Sequence, residues 1–479
     1  MIRQLKLHPR ACLLLAGLLV LAAVASCGGG VVGSGGTGSV AGVSVGTVNG
    51  FGSVIVDSVT YDDRSADVVH EVAPGVDAPS DVQLGHRVAV EYLTAGVANV
   101  VRVEATLAGP VASVGSGGKF SVLGQTVTVN AIGSAGPITQ FGGGYSAASD
   151  VRAGDAVEIH GLLVRQSSAY VIQATRVDKL AAAPAYLRVT GLVSSLKSGA
   201  KVTFTLGALT VDATGATVLP VATALADGQI VTVLALPAAL SAPSEGNLRL
   251  QAAQVRIREL IGSGSQDDYV SGSVSHLDTV AKTLTLGSVL VDYSAAVVTP
   301  ATTPLANGQY VLAHGAIGAT GTLVATSLTI RDTGSDTEAE LKGNIRGTIS
   351  APASFIVRDV TVDARTATLQ GCPAGGLVDG LYVQVSGSLG SSGVLARTIQ
   401  CQGEPSGADI EREGVASAVN AGAMNFTLTP KSQPAVSVTW TSKTYFGNVT
   451  PTTLAGQKVN VEGTLSGGVL TAKKIKVED

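Results

Sequence analysis

At 479 residues the chain is too long for one hydrophobic core and must divide into several domains. Its 31 Lys and Arg against 35 Asp and Glu leave a net charge of −4 spread along the chain, which excludes the concentrated basic surface that nucleic acid demands. Hydrophobic residues make up 45% but aromatics only 4%, and there are 60 glycines, so Ala, Val and Leu must build the cores while glycine punctuates the turns.

The N-terminus reads first as a sorting signal. Arg3, Lys6 and Arg10 precede an apolar run from Ala11 to Val24, too short to span a bilayer but laid out like a secretory signal peptide over residues 1–26. Val24-Ala25-Ser26-Cys27 resembles the bacterial lipobox, with Val24 where leucine is commoner. That resemblance implies a lipid-modified Cys27 and, with Gly28 rather than aspartate following it, a chain anchored in the outer membrane, facing the periplasm or the exterior. Residues 27–42 are Gly/Ser-rich and form a flexible tether.

From residue 43 onward a fixed period governs the chain. Gly85, Gly154, Gly228, Gly308, Gly380 and Gly456 each stand three residues before a strand-forming valine, at Val88, Val157, Val231, Val311, Val383 and Val459. Six tandem units follow, over residues 43–106, 107–183, 184–262, 263–335, 336–406 and 407–479, and are termed modules 1 to 6. Each opens with a Gly-x-Val type strand, such as Gly109-Pro110-Val111. A hairpin follows, such as Phe120 to Leu123 with Thr126 to Val129, joined by Gly124-Gln125. After an Ala-, Thr- and Pro-rich connection comes the Gly-x-x-Val strand, then a last strand marked by Ala98, Ala174, Ala252, Ala325, Ala396 and Ala472. Alternation with period two and the absence of helical periodicity give an all-β fold: six small five-stranded modules of the oligonucleotide/oligosaccharide-binding (OB-like) barrel type, arranged as a rod or arc. An immunoglobulin-like sandwich needs more strands than each unit supplies.

Recurring residues serve the fold. Phe51, Phe120, Phe204, Phe355 and Phe426, with Leu284 in module 4, are read as core plugs, and Asp62, Asn130, Asp212, Asp292 and Asp363 as turn caps. His160 and His314 share one repeat position with Ser386 and Glu462, a variability that argues against catalysis there. Cys372 and Cys401 are the two cysteines left after the signal and Cys27, and in an oxidising compartment a disulfide between them is the default.

Two places stand out as candidate sites. Tyr61 to Glu71 gathers Asp62, Asp63, Asp67, His70 and Glu71, hard ligands suited to calcium or another divalent cation; the alternative is a solvated loop, and no other cofactor is implied. Trp440 and Tyr445, with Phe446, are the one aromatic cluster suited to stacking a sugar. No nucleophile elbow, His-Glu-x-x-His pair or phosphate loop is present in the sequence.

The stretch Gly46-Thr47-Val48-Asn49-Gly50-Phe51-Gly52-Ser53-Val54-Ile55-Val56, with the repeated Gly-x-x-Val-x-Val-x-Gly and Leu-x-Ala-x-x-Ile strands, resembles the bacterial family called domain of unknown function 5666. The likeness spans nearly all of Val43 to Asp479 in six copies, although modules 1 and 3 lack the glycine after the Gly-x-x-Val strand. It implies an exported or lipid-anchored protein and supplies neither substrate nor catalytic residues. The expectation is a non-enzymatic envelope lipoprotein that displays its modules to a protein or glycan partner. Glycan binding through Trp440 is the first alternative, and a divalent-cation-dependent periplasmic enzyme the second.

Overall fold

Module 2 shows how the repeat is built. Its five principal strands are Leu107–Val114, Lys119–Val122, Gln125–Val129, Ala156–Gln166 and Ala169–Lys179. Phe120 and Val122 point inward while Ser121 between them faces out, as period-two alternation requires. The first strand pairs with the second, the second with the third, the third in parallel with the fifth, the fifth with the fourth, and the fourth returns to the first. The other modules repeat these pairings; in module 1 the third-to-fifth link is the single bridge Asp62–Val97.

The computed structural model describes residues 42–477, except 132–135, 167–168, 222, 243–246, 258–266, 288, 319–320, 332–337, 351–353, 405–406, 408 and 432. The expected signal peptide, the expected lipidation at Cys27 and nearly all of the expected tether fall on residues outside those described. Every described module is all-β, and among the described residues the regular helical turns are two short 3-10 segments, Ala148–Asp150 and Pro237–Ala239. Each of modules 2 to 6 also has a short strand, such as Gln140–Gly142 or Tyr445–Gly447, running parallel to the fifth. It lies in the connection that the sequence leaves as a loop.

Two glycine positions of the repeat have clear backbone reasons. The six glycines before the fourth strand all sit at φ between +79° and +91°, in the left-handed region that only glycine enters without strain. The second glycine of that strand, at Gly161, Gly315, Gly387 and Gly463, which the sequence reading places at its end, lies inside it, follows a β-bulge and faces the marker alanine of the fifth strand. A β-carbon on any of the four would run into a backbone carbonyl of that strand. Module 3 carries Ala235 there, and its fourth and fifth strands pair without a register shift. The core plugs are buried as expected, Phe204 at 1% exposure and Leu284 at 0%, each worth about 2–3 kcal/mol of transfer free energy.

The expected array of six separate barrels, in a rod or arc, is corrected by the sheets. They run from module to module in a solenoid-like stack: a 20-stranded sheet takes in modules 1, 4 and 5, a 14-stranded sheet modules 2 and 3, and module 6 has its own. The first strand of module 1, Gly42–Phe51, pairs in parallel with module 4 at Ser44–Tyr269 and with module 5 at Gly50–Glu340. Module 2 joins module 3 through Leu107–Val189. One hydrophobic core fills modules 1 and 5, another modules 2 and 3. The physical reason is size: a unit of about 70 residues has little apolar surface to bury alone and gains by sharing. Neighbours in space do not follow chain order, and module 1 touches all five others.

Candidate functional site

The acidic segment of module 1 forms the rim of that hub. Asp62 caps its own turn, accepting the Arg64 amide at 3.1 Å, and also holds the Arg64 guanidinium. Asp63 faces Lys473 of module 6, whose ammonium donates to the Asp63 carbonyl at 2.9 Å. Asp67 pairs with Lys443 of module 6 at 2.5 Å. The strand Asp67–Ala73 then carries Glu71 to module 3, where it receives Arg188 at 2.7 Å and Arg256 at 2.6 Å. Burial alone would push the Glu71 carboxyl up, but the two guanidiniums outweigh it and hold the group below the usual range. His70 is lowered by burial, and its Nδ1 has no hydrogen-bond partner.

These five side chains therefore do not assemble a cation site, and the metal expectation is corrected. Asp67 and Glu71 are four residues apart on an extended strand, about 13 Å, whereas calcium needs its oxygens at about 2.5 Å. Among the described residues no three His, Cys, Asp or Glu side chains converge on one point. Nor is the segment a solvated loop. Asp63, Asp67 and Glu71 meet cations of other modules, while Asp62 pairs with Arg64 of the segment itself.

Two clefts flank it. One of about 190 Å³ lies between modules 1, 5 and 6 and is lined by Asp63, Asp67, Asp81, Arg358, Glu462 and Lys474 among others. Its charges are already matched: Lys474 bridges Asp81 at 2.7 Å and Asp359 at 2.8 Å, and Arg358 binds Glu462. Burial pushes the Glu462 carboxyl up to about 7, with Arg358 and Lys474 opposing that rise. The other, of about 300 Å³, lies between modules 1, 2 and 3, with mostly apolar walls and the polar groups His70, Glu71, Glu158, Tyr186 and Arg188. The unpartnered Nδ1 of His70 is sealed from solvent, so it offers nothing to a ligand there.

Trp440 is not a sugar platform. It is 6% exposed and packs against Phe426 and, edge-on, Phe446, both at 6.0 Å between ring centres, inside the core of module 6. Tyr445 is half-buried, and burial raises its hydroxyl above the usual range. Cys372 and Cys401 are joined by a disulfide, tying the loop before Gly380 to the end of the fifth strand of module 5.

The sequence reading missed the charged hairpin turns. Modules 2 and 3 turn with Leu123-Gly124 and Gly207-Ala208, whereas modules 1 and 5 place Asp57-Ser58 and Arg358-Asp359 at positive φ. Non-glycine residues there cost about 1 kcal/mol or more each. The charges are used across modules: Asp57 accepts the Tyr310 hydroxyl of module 4 at 2.8 Å, and Asp359 receives Lys474 of module 6. A charged residue where a sister module tolerates glycine was the signal that could have revealed them.

The fold and these junctions define an all-β protein of tandem modules fused by shared sheets and buried ion pairs. The family model for Domain of unknown function (DUF5666) matches residues 108–178, 271–329, 342–400 and 413–476, over half of the chain. The chain belongs to that family. No curated protein matches it. One solved structure, described as drosophila Unr CSD456, aligns with 63% of this chain and 99% of its own at 13% identity, but with a TM-score of 0.11 it carries no weight for the fold.

Proposed function

We propose that this chain is a non-enzymatic lipoprotein of the bacterial cell envelope, anchored through Cys27, whose fused modules present repeated hydrogen-bonding faces to another envelope component. The observation that carries the reading is a row of hydroxyls across the outer face of the first three strands. In module 2 it is Ser113, Ser121 and Thr126; in module 3, Ser194, Thr205 and Thr210; in module 6, Ser417, Thr427 and Ser437. Neighbouring hydroxyls bond one another, Ser113 with Ser121 and Ser194 with Thr205 at 2.8 Å each. Such rows are flat, uncharged and free of aromatics, so each contact is weak. Repetition on one fused body would multiply them, by 10² to 10⁴ or so when sites are engaged together. Several buried ionisable residues support the same reading, since pairs such as Glu71 with Arg188 and Asp359 with Lys474 are spent on joining modules.

The test is photo-crosslinking in intact envelopes from Ser121, Thr205 and Thr427, with the exposed Val280 of module 4 as the control position. The same adduct from the three rows and none from the control is the expected result. Equal, diffuse labelling from all four positions would remove the reading. Its membrane half is checked separately by labelled palmitate: Cys27→Ala should abolish incorporation and release the chain from the membrane fraction.

A further inference from the structure

Modules 1 and 2 meet at two imidazoles in tilted contact. His86, on the loop before the fourth strand of module 1, and His160, at the bulge in the fourth strand of module 2, are 7% and 0% exposed, with ring centres 4.3 Å apart. The same seam is held by Thr175 Oγ1 donating to the Gly85 carbonyl at 2.6 Å and by Arg176 donating to the Leu84 carbonyl at 3.0 Å.

The two rings differ in what they can hold. The His86 Nδ1 accepts the Gln83 amide at 3.1 Å, so that nitrogen must stay unprotonated; its Nε2 lies 3.7 Å from Asp178. The His160 Nδ1 accepts the Arg87 amide of module 1 at 3.3 Å and lies 3.0 Å from the Glu104 carbonyl, and its Nε2 lies 3.2 Å from Glu158. A proton on the His86 Nδ1 would set N–H against N–H at Gln83 and place a positive charge against the His160 ring inside the buried seam.

The surrounding charges do not relieve this. Glu158 comes from the fourth strand of module 2, and Arg176 and Asp178 from the fifth, but Arg176 is already bonded to Asp178 through both Nε and Nη2, at 2.7 Å each. Arg87 and Glu104 flank the site from module 1, His70 approaches from the strand Asp67–Ala73, and Tyr445 of module 6 faces the same carboxylates.

We infer that the His86–His160 contact is an acid-labile latch: proton uptake by His86 parts module 2 from module 1 while each keeps its own strands. Burial first, and His160 second, push His86 down to about 4 against an ordinary 6.5, with Asp178 opposing them. A lowered value means that the latch holds fully above pH 6.5 and is lost as pH falls from there towards 4. Between pH 7 and pH 5 the opening equilibrium rises about 20-fold.

The test is native-state hydrogen exchange on the full chain, corrected at each pH for the intrinsic exchange rate. Protection of the Arg87 amide, which donates across the seam to His160 Nδ1, should fall about 20-fold between pH 7 and pH 5, while Val459–Val461 in the core of module 6 keeps its protection. In His86→Asn, whose amide oxygen can still accept the Gln83 amide, the fall should vanish. Uniform loss across modules, or an unchanged fall in the variant, would overturn the latch. Should that variant not fold, the wild-type ring resonances decide. Titration of His86 in step with lost protection supports it, and titration without that loss refutes it.

Discussion

The bulge glycine of the fourth strand gives the sharpest test of how the module is built. In Gly161→Ala the new β-carbon would stand 2.7 Å from the Gln173 carbonyl oxygen and 2.8 Å from Cγ2 of Ile172. A comfortable carbon-to-oxygen contact is about 3.3 Å, so the two strands must separate by roughly 0.6 Å. Neither side gives easily, because the carbonyl belongs to a ladder and Ile172 is fully buried. Overpacking of this kind costs about 1–3 kcal/mol, and weakening one adjacent ladder bond adds about 1 kcal/mol, so a loss of about 2–3 kcal/mol is expected. Gly228→Ala is the comparator: its φ of +87° imposes strain of about 1 kcal/mol, but nothing lies within 4 Å of the added carbon. The assay is the opening free energy of the fourth and fifth strands of each module by native-state hydrogen exchange. A Gly161→Ala effect below about 0.5 kcal/mol, or one smaller than that of Gly228→Ala, would refute the close-approach argument.

Other outcomes follow from the junctions and cores. Replacing Cys372 and Cys401 together by alanine releases a loop with a sequence separation of 29 and should cost about 3–4 kcal/mol, read as a lower unfolding midpoint that reductant reproduces in the wild type. Glu71→Gln removes the carboxylate that faces Arg188, a pair whose side chains are 7% and 9% exposed. About 3 kcal/mol should be lost, seen as faster exchange at 67–73 and 188–192, and a change under 1 kcal/mol would show that the pair does not hold modules 1 and 3 together. Trp440→Ala should destabilise module 6 by about 3–5 kcal/mol as a core truncation, whereas a surface platform would leave stability unchanged. Acid should act in two windows. His86 weakens the first junction below pH 6.5. The buried Asp178 and Asp359, raised by burial but held low overall by Arg176 and Lys474, contribute stability above their ordinary 3.8 that is lost as pH falls below it. A thermal scan across pH should therefore show a shallow decline above a steep one, the shallow part reduced in His86→Asn and its remainder due to buried His70.

What could be read from the residues was whatever depends on local backbone geometry. The spacing of Gly154, Gly228 and Gly308 located the turns because only glycine enters the left-handed region freely. The alternation around Phe120 and Phe204 located the inward faces, and the Asx positions Asp212 and Asp292 do cap their turns, accepting amides two residues on at 2.9 Å. Trp440 was misread because an aromatic near two others looks the same from sequence whether it faces solvent or a core. The acidic segment was misread for a related reason. Clustering in sequence suggested a shared ligand, but an extended strand spreads such residues along its length.

The sequence by itself determined the module: its period, its strands, the glycines that turn and bulge it, and the cysteine pair that staples one copy. These are consequences of steric limits within a few residues or, for the cysteines, of the expectation that Cys12 leaves with a signal and Cys27 carries lipid. The tertiary structure alone decided which module meets which. Glu71 finds Arg188 at a separation of 117 residues and Arg256 at 185, and Lys473 finds Asp63 at 410. Six units of near-equivalent pattern offer many such pairings of similar local merit. The choice among them rests on burying sheet ends, shared cores and opposite charges together, a sum that no local stretch of the chain contains.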